Sequence, residues 1–218
     1  MLKALLFDLD GTLANTDAVH FPTWMEVLRP YGIEVTREFY DERLAGRVNS
    51  EVVDDVLPDL SDDERQKLID TEEERSRDRA AQIGPLPGLV PLLDEGRERG
   101  LTLALVTNSI HADAQQILKP LELEDAFDPI VYPSEVSQSK PEPEPYLEVL
   151  DRLGIAGDEG VAFEDSVTGA KASCAAGIPT VGISAAHTPE ELKEAGVDLV
   201  LGDFADQALY DFLDDRSS

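Results

Sequence analysis

At 218 residues the chain is long enough to bury a sizeable core, and it suits one large domain or one domain carrying an inserted module. Apolar residues make up 42% of it but are interrupted by charge throughout, so no run approaches the ~20 apolar residues of a membrane span. The net charge of −28, with 46 carboxylates against 18 lysines and arginines, excludes nucleic acid and anionic membrane as partners, because both require a basic surface.

In chain order, Met1-Leu2-Lys3-Ala4 lacks the apolar region and cleavage site of a signal peptide, so a cytoplasmic location is expected. The first predicted strand covers residues 2–8 and runs into Asp8-Leu9-Asp10-Gly11-Thr12. Residues 15–83 carry helix-period patterns and a charge-rich stretch at 71–79 but no convincing strand, which predicts a helical insert. The core is then residues 1–14 and 84–218, re-entered through Gly84-Pro85-Leu86-Pro87-Gly88, a turn-rich junction suited to a hinge. Beyond it, helical patterns at 88–99, 111–118, 143–153, 167–176 and 189–195 alternate with short apolar runs at 101–107, 129–131, 160–164, 180–183 and 198–201. Gly100, Gly154, Gly177 and Gly196 stand where helices should stop. This alternation predicts a doubly wound, Rossmann-like α/β fold with a parallel sheet covered on both faces. Cys174, the one cysteine, cannot form an internal disulfide and reads as a buried small hydrophobe. The tail 214–218 has nothing to bury and is expected to fray.

In open parallel sheets ligands bind beyond the carboxyl ends of the strands. Those ends carry Asp8 and Asp10, then Thr107-Asn108-Ser109, then Glu164-Asp165-Ser166, and Lys140 lies in the loop Ser139-Lys140-Pro141-Glu142-Pro143. Carboxylates, a hydroxyl and an ammonium at one sheet edge suit a metal ion and a phosphoryl group, and hard oxygen ligands favour Mg²⁺. Taken singly, Asp8 and Asp10 also fit strand-end turns, Thr107 an N-cap and Lys140 a solvated loop charge. Asn108 and Ser109 read equally as caps of the following helix or as substrate contacts.

Asp8-x-Asp10-Gly11-Thr12, Thr107, Lys140 and Glu164-Asp165, in this order and spacing, resemble the motifs of the haloacid dehalogenase-like superfamily, and the helical insert resembles its first cap class. The resemblance covers nearly the whole chain. It implies that Asp8 is a nucleophile forming an aspartyl-phosphate, and that Asp10 protonates the leaving oxygen and then activates water. It further implies Mg²⁺ held by Asp8, the Asp10 carbonyl and Asp165, with Thr107 and Lys140 on the phosphoryl oxygens and Glu164 and Ser166 in support. Dehalogenases of the superfamily lack an acid at the position of Asp10, so its presence favours phosphate esters.

The stretch from Thr16 to Trp24 resembles the cap of beta-phosphoglucomutase and related sugar-phosphate phosphatases. That likeness implies that His20 matches a cap histidine that orients the general acid and that Arg75 matches a cap lysine, and it makes His20, Gly46, Arg47 and Arg75 the candidate substrate-binding residues of the cap. The arginine expected after Gly46 falls at Asn49, with Arg47 as the local substitute, and the lysine expected after Thr107 is missing; both departures favour hydrolysis over transfer. His20 also fits a helix-face polar residue and Trp24 cap core, while His111 and His187 stand near helix starts without metal spacing. The expected function is a Mg²⁺-dependent phosphatase of a small phosphorylated metabolite, a sugar phosphate or phosphoglycolate-like compound, acting as a monomer or weak dimer. The alternatives are a mutase of the beta-phosphoglucomutase type and, from another class, a receiver-like signalling domain. The acidic surplus itself reads as adaptation to a high-salt cytoplasm, since at ~1 M salt the screening length falls to about 3 Å.

Overall fold

A computed structural model describes residues 1–217 except 46, 48, 81, 82 and 185–187, and of Ala80 the backbone alone. Strands β1 (Ala4–Phe7), β2 (Thr102–Val106), β3 (Ile130–Val131), β4 (Gly160–Glu164), β5 (Thr180–Ile183) and β6 (Leu199–Leu201) form a parallel sheet of order β3-β2-β1-β4-β5-β6. Its winding reverses beside β1, so the carboxyl ends of β1, β2 and β4 are neighbours at the switch point where such sheets bind ligands. Every residue of β1 and β4 is buried, as a sheet covered on both faces requires.

The chain divides into two units, Met1–Asn15 with Gly84–Ser218, and Thr16–Ile83. In the first, side chains alternate across the sheet. Ala4 and Leu6 of β1 and Ala104 and Val106 of β2 join one apolar cluster with Tyr146, Val149 and Leu150 of α7 (Glu144–Leu153) and Ala172 of α8 (Val167–Ala175). On alternate positions Phe7 stacks on Phe163 with ring centroids 4.8 Å apart, and Phe204 meets Phe163 edge-on. Gly88 has φ of 79°, and a Cβ there would run into the backbone of Phe204 and Ala205. The junction from residue 84 is fixed to the core by Leu86 N–H donating to Leu13 O (2.9 Å) and Phe204 N–H donating to Pro87 O (3.0 Å).

The second unit comprises four described helices, α1 (Asp17–Leu28), α2 (Arg37–Arg43), α3 (Asn49–Val56) and α4 (Asp62–Ala80). Trp24, Val27 and Leu28 pack with Tyr40, Val52, Val53 and Leu68 as its core, so Trp24 is cap core. Along α4 the buried positions are Leu68, Glu72 and Ser76, a stripe of period four in a segment that otherwise carries charge to solvent.

The predicted strands and helices of the core all occur, four with the predicted bounds and the others shorter by one or two residues at an end, and the four helix-stop glycines all have positive φ. Two expectations are corrected. The tail does not fray at 214: α10 (Gln207–Ser217) runs through it, burying Leu213, and Leu2 N–H donates to Arg216 O at 3.0 Å. Cys174 is half-buried. Its helix α8 turns the small residues Ala170, Ala172 and Ser173 inward instead. The remaining helices are α5 (Leu89–Glu98), α6 (His111–Leu118) and α9 (Pro189–Ala195), and no helix among the described residues is long and apolar enough to cross a membrane.

Candidate active site

Asp8 is the first residue past β1, its N–H continuing the ladder to Phe163 O (3.0 Å). Thr107 likewise follows β2 through a bond to Val131 O (3.1 Å), while Glu164 ends β4 and Asp165 follows. The parallel register therefore delivers all four to one edge. Lys140 reaches the same point from the loop before α7, held by a reciprocal pair of 3.2 Å bonds between its backbone and the Asn108 amide. Its ammonium is buried, and each of its three protons has an acceptor: Asp8 Oδ1 at 2.7 Å, Glu164 Oε1 at 2.6 Å and Val106 O at 2.7 Å. Beyond Asp8 the chain reverses, with Gly11 N–H bonded to Ala14 O (2.9 Å). Gly11 has φ of +77°, and a Cβ there would occupy the place of the Asp165 carboxylate, so only glycine both makes the turn and leaves that space. Asp10 is half-buried, and its Oδ2 accepts from Ser109 Oγ at 2.5 Å.

Burial dominates the electrostatics. It pushes the Asp8 carboxyl above its ordinary value against the opposing pull of Lys140, and lifts Glu164 to about 7 in the same way. The Lys140 ammonium is held firmly protonated: burial opposes the charge, but Asp8 and Glu164 outweigh it. Asp8, Glu164 and Asp165 bring ligand oxygens within 4.8 Å of one another, so carboxylates outnumber the ammonium three to one in a buried cluster. Glu164 Oε2 is buried with no hydrogen-bond partner. An excess of buried carboxylate oxygen is the donor set of a hard divalent cation, so the residues present fit a metal ion.

The sequence profile of the Haloacid dehalogenase-like hydrolase family matches residues 5–183. The chain belongs to that family. A phosphorylated carbohydrates phosphatase of Thermotoga maritima is 30% identical over 182 residues, covering 83% of this chain and 84% of the relative. Beta-phosphoglucomutase of Bacillus subtilis is 27% identical over 217 residues, covering 95% and 92%. Among solved structures, CbbY from Rhodobacter sphaeroides in complex with phosphate superimposes with a TM-score of 0.80 at 28% identity, covering 94% of this chain and 96% of that one. The chain is thus an enzyme, a hydrolase whose relatives act on phosphate esters, and the signalling-domain alternative falls away.

In this haloacid dehalogenase-like hydrolase the core residues named from sequence converge, and their local roles become visible. Neither Asn108 nor Ser109 caps a helix, because α6 starts later, with Ile110 at its N-cap position. Thr107 Oγ1 accepts from Ser109 N–H (2.9 Å). Ser166 is an N-cap, accepting from Gly169 N–H at 3.0 Å, and His111 is exposed against Tyr132. In the cap unit His20 Nδ1 lies 3.1 Å from Glu72 Oε1, Arg47 bonds Asp55 at 2.8 Å and Arg75 bonds Glu26 at 3.0 Å. Gly46 and His187 lie outside the described residues.

Three participants escaped the sequence reading. Tyr146, fully buried, donates to Glu164 Oε1 at 2.6 Å, and its ring centroid lies 5.2 Å from the Lys140 ammonium. A tyrosine on the apolar face of a helix six residues after Lys140 is a signal, since a buried hydroxyl must find a partner. Gly169 makes room for Glu164. Glu72 was hidden among the acids of α4, although its spacing of four from Leu68 and Ser76 places it on the buried stripe.

Proposed function

We propose that the chain is a Mg²⁺-dependent phosphatase of a small phosphorylated metabolite that works through an aspartyl-phosphate on Asp8. The observation that carries this is the grouping of Asp8, Lys140 and Asp165 at one sheet edge with a second carboxyl, Asp10, two residues from Asp8 and oriented by Ser109. Asp8 attacks phosphorus, which divides one hard displacement into two easier ones. Asp10 gives its proton to the leaving oxygen and afterwards takes one from the attacking water. Thr107 and Lys140 stabilise charge on the phosphoryl oxygens from fixed positions, with no reorganisation during reaction. Asp8, the Asp10 carbonyl and Asp165 would hold Mg²⁺, whose charge offsets the repulsion between a carboxylate and a phosphate ester. The names of the relatives, which include a phosphatase of phosphorylated carbohydrates, support a sugar phosphate or a compound of similar size as substrate, with His20, Arg47 and Arg75 as cap contacts. A panel of phosphorylated metabolites assayed for phosphate release with Mg²⁺ in high salt tests the reading; release from none of them would overturn it.

The likeness to beta-phosphoglucomutase supports a second reading, transfer between positions of a sugar. A mutase must grip the phosphate distant from Asp8 with cations, yet Arg47 and Arg75 are already paired with Asp55 and Glu26. Given beta-glucose 1-phosphate and glucose 1,6-bisphosphate, phosphate release should therefore outpace glucose 6-phosphate formation. The reverse result would establish the mutase.

A further inference from the structure

The cap unit buries a carboxylate that this chemistry does not use. Glu72, midway along α4, is wholly inaccessible, and an ionised group loses several kcal/mol of hydration on burial unless donors surround it. Here they do. Asn49 Nδ2 donates to Oε2 at 2.7 Å, Ser76 Oγ donates to Oε1 at 2.7 Å, and His20 Nδ1 lies 3.1 Å from Oε1. These groups come from α3, α4 and α1, so one carboxylate ties three helices together.

Stability alone does not explain the arrangement, because an apolar residue continuing the stripe from Leu68 would bury its side chain with no charge to desolvate. What Glu72 does that leucine could not is act on His20. Glu72 Oε1 already accepts from Ser76 Oγ, and for it to accept from the imidazole as well the ring must carry its proton on Nδ1. The imidazole is thereby held in one orientation with its proton on Nδ1, and whatever else it does is done through Nε2. The His20 side chain is 35% exposed, whereas that of Glu72 is fully covered. The carboxylate thus backs a ring that reaches solvent.

We propose that Glu72 is a positioning residue for His20, fixing the tautomer that turns Nε2 toward a hydroxyl or phosphoryl oxygen of a small phosphate ester. The identity of the ligand rests on the phosphatase reading; the Glu72–His20 pairing does not. The first measurement is therefore independent of turnover: ¹⁵N NMR of the imidazoles in the full chain, with the His20 signals assigned through His20→Gln. Neutral His20 should carry its proton on Nδ1, and an Nε2-protonated ring would overturn the proposal whether or not any variant folds. In the second, Glu72→Gln and His20→Gln should each lower kcat/KM by roughly 10–100-fold on the best ester of the metabolite panel, as losses of ligand-orienting partners do. The double variant should be no worse than His20→Gln alone. Losses that multiply, or a folded Glu72→Gln with unchanged kcat/KM, would also overturn it. If the wild-type protein hydrolyses no ester, the phosphatase reading fails while the tautomer still decides the role of Glu72.

Discussion

Gly169 stands where any Cβ would run into the carboxylate of Glu164. In α8 an alanine should stabilise the helix by about 1 kcal/mol relative to glycine. Against this, the carboxylate is fully buried and tied to Lys140 and Tyr146, so it cannot swing aside without breaking those bonds, and overpacking a core costs about 1–3 kcal/mol. The clash should win. Gly169→Ala is expected to lose a net amount of up to about 2 kcal/mol in urea denaturation and to lower turnover at least tenfold. An alanine variant that is more stable and fully active would show that Glu164 moves freely.

Asp8→Asn is expected to keep the fold and to remove turnover to background, at least about a thousandfold, because an amide cannot serve as the nucleophile. The amide oxygen can still accept from Lys140, and one buried negative charge disappears from a cluster rich in them, so the melting temperature should hold or rise. Asp10→Asn should also be strongly impaired, yet with a substrate whose leaving group needs little protonation it should accumulate phosphorylated Asp8, visible by intact-protein mass spectrometry. Substantial turnover by Asp8→Asn, or unchanged dephosphorylation by Asp10→Asn, would break the assigned division of labour.

The acid cluster makes metal dependence measurable in two ways. A chelator should abolish phosphate release and Mg²⁺ should restore it. Independently of activity, a cation that binds only the folded state adds about 2.7 kcal/mol at a hundred times its Kd, so the melting temperature should climb with Mg²⁺. Asp165→Asn should blunt that rise. A melting curve indifferent to Mg²⁺ in wild-type protein would count against Asp8, the Asp10 carbonyl and Asp165 as a cation site.

The sheet was legible because its signals are local: short apolar runs give the strands, and Gly100, Gly154, Gly177 and Gly196 sit at positive φ where their sequence positions end helices. The parallel order then makes the strand-end residues neighbours, so Asp8, Thr107, Glu164 and Asp165 could be grouped from sequence. Contacts between side chains distant in sequence were not legible. Nothing local to Ser109 announces its bond to Asp10 across 99 residues, or to Glu72 its bond to His20 across 52. The tail was misread for a related reason: its last residues are polar, but Leu209 and Leu213 on the other side of the same helix are buried.

The acidic surface sets the last expectation. In dilute buffer, with a screening length of about 10 Å at 0.1 M salt, 46 carboxylates facing 18 basic residues repel one another across much of the molecule. Salt has two opposed effects on such a protein. It weakens attractive pairs such as Arg37–Asp17, Arg47–Asp55 and Arg75–Glu26, but exposed pairs contribute only about 0–1 kcal/mol each. It also screens the repulsion of the unpaired surplus, which every carboxylate in excess shares. With charges this unequal the second effect should dominate, so the melting temperature is expected to rise steadily as potassium chloride goes from the dilute range to molar concentrations, where screening acts within about 3 Å. Replacing several exposed acids by neutral residues, for example Asp62, Asp63 and Glu74 on α4, should flatten that dependence and raise stability at low salt. A wild-type melting temperature that is flat or falls with salt would refute adaptation to a high-salt interior and leave the surplus of acids without that explanation.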